Sequence, residues 1–260
     1  MLSSVVGEAD APVYVVNPSH GTISALVSAL EDAGPTPEIR MLADESTLKD
    51  VMDDFLVASP AADFVESGTL SMRLLETVPN HSVVVAEDSV YALVTVADTI
   101  SALGTAEDEF VRDSIDHYEN LWESAEAYSL RTPAISRVRS SLETDISKAA
   151  ATDFDTVLTS LATARGDGDG LDEVTISLLV AARNNELLYE ISKWGEDVGL
   201  ASKATFSRTK TKLEDMGLID TEKVPIDVGR PRLRLMLGDE RLENADSDEL
   251  ATVAQSLLAA

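Results

Sequence analysis

The sequence predicts a mixed α/β protein in which an N-terminal α/β domain precedes a C-terminal winged helix-turn-helix. Three observations lead to this fold class. Short apolar runs alternate with helical segments in the first half, a Gly-Asp run at residues 166–170 interrupts the pattern, and three helices and two strands follow. The predicted boundaries are residues 1–132 for the α/β domain, 133–170 for a helical connector and hinge, 171–238 for the winged helix-turn-helix and 239–260 for a C-terminal helix.

Apolar periodicity and turn residues mark the N-terminal elements. Short runs rich in Val and Ile indicate strands, and apolar residues at helical spacing indicate helices. Gly34-Pro35 ends the first helix, Ser46 or Thr47 caps the second, and Glu87-Asp88-Ser89 indicates a hairpin turn. Strands are expected at residues 13–16, 39–42, 54–58, 82–86 and 91–96. Helices are expected at residues 23–32, 46–52, 67–77, 107–130, 135–146 and 154–164. The predicted core positions of the 107–130 helix are Phe110, Ile115, Leu121, Trp122 and Ala125.

After the Gly-Asp run the order of elements changes. Ser202 is placed to cap the third helix and Gly217 to end it. The last strand alternates outward arginines with inward leucines, as a half-exposed strand does. Helices are expected at residues 173–182, 187–198 and 203–216, and strands at 218–225 and 231–237. This order is typical of a winged helix-turn-helix.

The charge is strongly acidic. Asp and Glu number 47 against 20 Lys and Arg, a net charge of −27, and apolar residues make up 44% of the chain. That apolar content supports a buried core and argues against disorder. Scarce lysine and acids spread over every segment fit a surface adapted to molar salt, where the Debye length is about 3 Å. We therefore expect a halophilic source. No signal peptide or membrane span is visible, so a cytoplasmic protein without membrane contact is expected.

Most of the basic residues fall in the C-terminal part. Residues 171–241 hold 11 bases against 13 acids, whereas residues 1–170 hold nine bases against 30 acids. Residues 203–212 carry four bases and no acid, and Arg230, Arg232 and Arg234 form a second basic island. On a helical wheel of about 100° per residue, the third helix divides into a core face and an outer face. The predicted core face is Phe206, Thr209, Leu213 and Met216, and the outer face is Ala204, Ser207, Arg208, Thr211 and Lys212.

This outer face has the chemistry of a helix that enters the major groove of double-stranded DNA. Small side chains allow close approach, hydroxyls bond phosphates or base edges, and arginine can recognise guanine. Salt bridges to the acidic body, or a helical packing module with solvated charges, are the alternatives. The candidate DNA contacts are Ser202, Lys203, Ala204, Thr205, Ser207, Arg208, Thr211, Lys212, Arg230, Arg232 and Arg234.

The N-terminal domain offers one candidate anion site. Residues 17–22 follow a strand and open a helix, so their backbone N–H groups point toward a bound anion. Arginines are rare in this acidic domain, so Arg40 and Arg73 are added to the candidate anion site. An ordinary capped turn and surface ion pairs are the alternative explanations. The ligand-binding candidates are Ser19, His20, Gly21, Thr22, Arg40 and Arg73.

No catalytic motif accompanies this loop. His20, His81 and His117 lack metal-ligand spacing, cysteine is absent, and no common nucleophile or phosphate-binding motif is present. The Gly-Asp run lacks EF-hand spacing and is predicted as a hinge. We therefore expect no enzymatic activity, catalytic residue, cofactor or metal. His81 and Asp88 match part of the phospholipase D motif with Val83 in place of its lysine. A phospholipase D-like binding fold and a chance match are the alternatives.

Three C-terminal motifs resemble those of haloarchaeal winged-helix regulators. They are Ala204-Thr205-Phe206-Ser207-Arg208, Met216-Gly217-Leu218-Ile219 and Val228-Gly229-Arg230-Pro231-Arg232. The whole chain resembles the TrmB-suppressor (TbsP-like) type of regulator, which is related in role to TrmB sugar-responsive factors, although its N-terminal match is softer. The resemblance implies a transcription factor of central carbon (sugar and gluconeogenic) metabolism. It also implies a sensor domain that binds a sugar phosphate.

The C-terminal segment predicts assembly. Residues 248–259 have a helical pattern that places Leu250, Val253, Leu257 and Leu258 on one face. This face either docks on the chain's own winged helix or pairs across a two-fold axis. Because winged-helix regulators commonly bind two half-sites, we expect a homodimer. The alternative function is a sugar-phosphate-binding protein or enzyme whose winged helix mediates protein contacts only.

Overall fold

The computed structural model describes residues 11–34, 36–96, 99–165, 171–226 and 231–259. The chain divides into two compact units. The first comprises Met1–Asp53 and Val57–Leu130, and the second comprises Asp54–Leu56 and Arg131–Ala260. The mixed α/β fold class is confirmed, since a six-stranded sheet forms in the first unit and helix-turn-helix elements form in the second. The hinge predicted at residues 166–170 lies outside the described residues, as does Arg230.

A six-stranded sheet of order β3-β2-β1-β4-β5-β6 organises the first unit. The first three strands are parallel, and β4, β5 and β6 continue the sheet in antiparallel pairs. The strands are β1 (Val13–Val16), β2 (Ile39–Ala43), β3 (Leu70–Leu74), β4 (Val83–Val85), β5 (Val90–Val96) and β6 (Thr99–Thr105). The helices are α1 (His20–Asp32), α2 (Glu45–Met52), α3 (Phe55–Glu66), which begins within the second unit's segment, and α4 (Asp108–Ser124).

Strand alternation gives the sheet two apolar faces with different helical partners. Val13 and Val15 of β1 share one buried cluster with Ile23 and Leu26 of α1. Tyr14 and Val16 point to the opposite face, which packs against Val111, Tyr118 and Trp122 of α4. Because successive residues of a strand alternate sides, the register of β1 fixes which side chains each helix covers.

Several sequence predictions for this unit are wrong. Residues 54–58, predicted as a strand, begin α3, and residues 67–77, predicted as a helix, contain β3. Strand β6 was not predicted. The long helix ends at Ser124 rather than residue 130, and the predicted core residue Phe110 is 51% exposed. Helix α2 is capped by the Asp44 carboxylate, which accepts from Thr47 N at 3.1 Å, so neither Ser46 nor Thr47 is the cap.

The second unit combines helical and winged elements around one core. Its helices are α5 (Ile135–Asp145), α6 (Lys148–Ser160), α7 (Glu173–Arg183), α8 (Leu188–Val198), α9 (Lys203–Asp215), α10 (Glu240–Asn244) and α11 (Leu250–Leu258). Strands β7 (Ile219–Val224) and β8 (Arg232–Leu237) form a two-stranded antiparallel sheet. Helix α6 begins at Lys148 and ends at Ser160, earlier than the predicted 154–164. Helix α7 is buried on nearly every side, with Ile176, Leu178 and Ala181 fully enclosed.

Helices α5, α6 and α11 share the core of the winged elements. Val138, Leu142 and Phe154 belong to the same buried cluster as Leu178 of α7. Leu250, Ala251 and Ala254 of α11 are also buried in this cluster, and Val253, Leu257 and Leu258 pack against it. The apolar face of α11 is therefore covered by its own unit.

A carboxylate ties the helical and C-terminal segments of this unit together. Asp153 of α6 accepts hydrogen bonds from Asn184 Nδ2 at 2.8 Å and Ser247 Oγ at 2.6 Å, and Arg183 Nε lies 3.7 Å from it. Arg183 also donates to the Ala245 carbonyl at 2.7 Å. Trp194 Nε1 of α8 donates to Ser141 Oγ of α5 at 2.9 Å. These contacts fix α5, α6 and the C-terminal helices on the winged core.

Candidate nucleic-acid interface

Helix α9 is positioned by a cap at one end and a close helix crossing in its middle. The Ser202 hydroxyl accepts from Thr205 N at 3.2 Å, which satisfies one free N–H of the first turn. Phe206 and Leu213 are buried, and the Phe206 ring lies against Gly195 of α8. Gly217 ends the helix with φ of +75°, a conformation that glycine adopts without strain. The sequence therefore holds one face of α9 rigidly against α8.

The outer face of α9 is open to solvent. Its exposed residues are Ser202, Ala204, Ser207, Arg208, Thr211 and Lys212, while Lys203 and Thr205 are half-buried. The predicted core face was partly wrong. Met216 is 39% exposed because it lies just beyond the last turn, and Lys210 takes a buried position that the wheel did not give it.

Two of the four bases of residues 203–212 are paired with acids. Lys203 Nζ lies 2.7 Å from Glu196 Oε2, and Lys210 Nζ lies 2.7 Å from Glu214 Oε2. Hydrogen bonds from Lys203 hold the pKa of Glu196 below its ordinary value, and those from Lys210 and Thr221 do the same for the pKa of Glu214.

The other two bases of this segment have no acidic partner in the part of the chain that the structure describes. Arg208 makes only a 3.4 Å contact with Thr205 Oγ1, and Lys212 is exposed. The open cations of α9 are therefore Arg208 and Lys212.

The wing stands beside this helix as a short antiparallel sheet. β7 and β8 pair from Ile219 opposite Leu237 to Val224 opposite Arg232. A segment just before α8 extends the sheet, since Leu187 bridges Arg234 and Leu235 N donates to the Glu186 carbonyl at 2.9 Å. No sequence pattern indicates this bridge, and it was not predicted.

The two described arginines of the wing differ in their partners. Arg234 Nη1 lies 3.1 Å from Glu222 Oε2, so its charge is paired. The Arg232 guanidinium carbon lies 3.5 Å from the centre of the Tyr189 ring, and Tyr189 is 41% exposed at the first turn of α8. Stacking of this kind holds an arginine without neutralising it.

Sequence reasoning missed two residues of this surface. No sequence pattern singles out Tyr189, and only the packing of β8 against α8 reveals that it holds Arg232. Lys223 of β7 is exposed, and among the described residues it has no acidic partner. As the one base of β7 it could have been noted from the sequence, and with Arg232 it makes two open bases on the described part of the wing.

The predicted anion loop is a well-formed helix cap. Ser19 Oγ accepts from Thr22 N at 3.3 Å and lies 2.9 Å from Thr22 Oγ1, so both hydroxyls are engaged with each other. Thr22 is buried, whereas Ser19, His20 and Gly21 are exposed, and His20 Nε2 lies 3.7 Å from Asp50. The backbone N–H groups that open α1 are the donors left for an anion.

The structure does not bring Arg40 and Arg73 to this loop. Arg40 is in register with Tyr14 and Arg73 with Leu42, and both partners lie on the sheet face that packs against α4. Helix α1 packs on the opposite face. Arg40 and Arg73 therefore lie on the far side of the sheet from the loop.

Each of these arginines has a structural role on its own face. Arg40 Nη1 donates to the Tyr14 hydroxyl at 3.0 Å, and its hydrogen bond to Glu38 raises the pKa of Arg40. Arg73, which lies on β3 rather than in a helix, donates to the Trp122 carbonyl at 2.6 Å and stacks 4.7 Å from that ring. It thereby satisfies the last carbonyls of α4.

Among the described residues, no group of three or more His, Asp or Glu side chains could hold a metal ion. His81 and Asp88 lie at opposite ends of β4 and do not converge. Among the described helices, none has both the length and the apolar character needed to cross a bilayer.

Two family models together match residues 1–255. Residues 1–133 match the N-terminal domain described as transcriptional regulator TbsP-like, and residues 134–255 match the C-terminal HTH domain of the same description. No relative among the curated proteins matches. Among solved structures, the chain is similar to TrmBL2, described as an archaeal chromatin protein that shows a novel mode of DNA binding. The identity is 15%, the TM-score is 0.35 and the match covers 48% of each chain, so it spans about half of that protein's length.

Proposed function

The chain belongs to the family of TbsP-like transcriptional regulators, and from this premise we propose that it binds double-stranded DNA at promoters through α9 and the β7–β8 wing. Helix α9 enters the major groove, and the wing lies against the neighbouring backbone. Arg208 reads base edges, while Lys212, Arg232 and Lys223 contact phosphates. Arg230 is proposed as a further contact from the wing.

One observation carries this proposal. In a chain of net charge −27, the outer face of α9 presents exposed small, hydroxyl and basic side chains, and two of its bases have no acidic partner among the described residues. A packing module would have its bases neutralised, as Lys203 and Lys210 are. Free cations beside small side chains fit a groove lined by phosphates.

The test compares Arg208→Ala with Lys148→Ala in a gel shift on DNA from upstream of the protein's own gene. Loss of a base-reading arginine costs about 1–3 kcal/mol, so affinity should fall about fivefold or more. Lys148, an exposed base on α6, is the matched control and should leave affinity unchanged. Equal binding by both variants would remove α9 as the reading helix. In molar salt the counterion-release contribution is small, so base contacts carry more of the affinity.

We also propose which process the protein regulates and which signal it senses. The acidic, lysine-poor composition supports a halophilic source. The resemblance to haloarchaeal TbsP-like regulators, which are related in role to sugar-responsive factors, supports an archaeal source and a role in central carbon metabolism. We infer that the first unit senses a sugar phosphate at the N-terminus of α1, where His20 and Gly21 are exposed. Arg40 and Arg73 are not part of the proposed site, because their hydrogen bonds hold them on the other face of the sheet.

A homodimer is part of the same proposal. A dimeric regulator presents two recognition helices to two half-sites, which matches the symmetry of palindromic operators. Of the two alternatives for the apolar face of α11, docking on its own unit is the one that the packing supports. We therefore propose that α11 supports the winged core and that the two-fold contact uses another surface.

A further inference from the structure

The last two strands of the sheet contain no charged residue, although Asp98 lies between them in the sequence. Residues 89–96 and 99–106 contain no Asp, Glu, Lys or Arg, although charged residues make up 26% of the chain. We call β5 and β6 the uncharged ribbon. In a protein whose surface is so acidic, an uncharged segment of this length needs a physical reason.

One face of the uncharged ribbon exposes large apolar side chains. Val94 is 41% exposed, Val96 is 71% exposed and Leu103 is 72% exposed. The register places them together, since Ala92 is opposite Leu103 and alternate residues of β5 share a face. This face continues from Val90, which packs in the α4 cluster. Exposed apolar side chains that adjoin one another on a strand face make this face a candidate interaction surface.

The ribbon also ends in an open edge. β6 is the outermost strand of the sheet and pairs only with β5 among the described residues. Its outward N–H and C=O groups are therefore available to another strand. Monomeric proteins guard such edges with lysine, proline or inward charges, and β6 has none of these. The other edge, β3, is partly covered by a bridge between Arg73 and Ala127.

We propose that a second copy of this chain covers the uncharged ribbon, with β6 pairing antiparallel to its symmetry mate across a two-fold axis. This inference rests on the proposed homodimer and names its surface. An antiparallel strand pair is compatible with two-fold symmetry, because each strand then meets its own sequence reversed. Leu103 of each β6 then lies beside the neighbouring strand across the axis and loses part of its exposure.

Charge favours a second copy over an anionic partner. Two acidic chains associate most readily through strands that carry no acids, and molar salt screens the acids that flank the ribbon, Asp98 among them. Nucleic acid is a poor occupant, because the ribbon offers no cation to its phosphates. An acidic surface around an apolar ribbon also disfavours an anionic membrane.

The experiment measures the mass of the full chain by sedimentation velocity and light scattering in 2 M KCl, with Leu103→Glu as the variant. We expect wild-type protein at twice the chain mass of 27.8 kDa. Leu103→Glu places two carboxylates across the axis, so the dimer dissociation constant should rise about tenfold or more. The control is Val65→Glu, which adds the same charge at a 37% exposed apolar site of the same unit and should leave the dimer intact.

Each outcome is decisive. Wild-type protein at 27.8 kDa up to about 100 μM would overturn both the homodimer and its surface. Leu103→Glu at the dimer mass with wild-type affinity would overturn the proposed surface alone. Dissociation of the dimer by Val65→Glu as well would also overturn that surface, because a charge added elsewhere on the unit would then be enough to break the dimer. Circular dichroism melts of the variants, expected to match wild type, separate dissociation from unfolding. The Arg208→Ala gel shift tests DNA binding independently of this result.

Discussion

The ring of Phe206 on α9 lies directly over Gly195 on α8, so close that a β-carbon on Gly195 would stand 2.3 Å from Phe206 Cε2 and Cζ. Phe206 is completely buried. Phe206 belongs to the buried cluster of the winged core, so a displaced ring would have to push its packed neighbours aside. The crossing of these two helices thus depends on the absence of a side chain at residue 195.

Gly195→Ala should destabilise the protein although alanine is the better helix former. Overpacking of a filled core costs about 1–3 kcal/mol, which exceeds the gain of about 1 kcal/mol from helix propensity. Urea unfolding in molar KCl measures the difference. Gly21→Ala is the matched control, since a β-carbon there meets nothing within 4 Å, and it should be neutral or stabilising. Unchanged stability in Gly195→Ala would mean that α8 and α9 can move apart.

Tyr189→Ala should weaken DNA binding without touching a charge. The ring orders the Arg232 guanidinium, and cation–π contacts at exposed sites contribute about 0.5–1 kcal/mol, so a two- to fivefold loss of affinity is expected. Tyr189→Phe retains the stacking face and should bind like wild type. The measurement is fluorescence anisotropy with labelled operator DNA. A loss in Tyr189→Phe equal to that in Tyr189→Ala would assign the effect to the hydroxyl instead.

Asp239 should stay ionised to a lower pH than an ordinary aspartate does. Hydrogen bonds from the Arg241 side chain and backbone N–H lower the pKa of Asp239 from its ordinary value of 3.8 to about 2. Because the folded pKa is depressed, the stabilisation is complete above about pH 4 and is lost as the pH falls through about 2. Carboxyl carbon shifts in a nuclear magnetic resonance titration measure this midpoint. Arg241→Gln should move it up toward 3.8, and an unmoved midpoint would contradict the role of Arg241.

A sugar phosphate should raise the melting temperature of the full chain. At 100-fold saturation the ligand stabilises its unit by about 2.7 kcal/mol, a shift of several degrees. Glucose 6-phosphate, glucose and inorganic phosphate are compared in molar KCl, and only the first is expected to act. His20→Ala should reduce the shift, whereas His117→Ala on α4 should not. No shift at millimolar glucose 6-phosphate would end this sensor proposal for glucose 6-phosphate and leave DNA binding untouched.

Strong local patterns were predicted well and long-range contacts were not. Ser202 and Gly217 gave the limits of α9 to within one residue, because capping chemistry is local. The apolar run at residues 55–57 looked like a strand, yet it opens α3, where Asp54 accepts from Leu56 N at 3.1 Å. β3 was taken for a helix, although parallel pairing with β2 holds Met72 and its neighbours extended. Such pairing partners lie far away in sequence.

In the candidate interface, too, local patterns were predicted and long-range contacts were not. The basic islands and the outer face of α9 are visible as sequence patterns. Which bases remain open depends on partners that the pattern does not contain, since Glu196 on α8 pairs with Lys203 across a turn. Tyr189 meets Arg232 through the packing of two elements more than forty residues apart in the chain.

The segment Asp54–Leu56 determines how this protein can be dissected. It belongs to the second unit, where the Asp54 carboxylate accepts from Ala164 N at 3.0 Å and Thr163 Oγ1 at 2.6 Å. Phe55 meets Phe154 edge to face at 6.4 Å. A fragment that starts at residue 131 would lack all three contacts, and an absent core phenylalanine alone costs about 3–5 kcal/mol. No single proteolytic cut or gene truncation can therefore release both units whole.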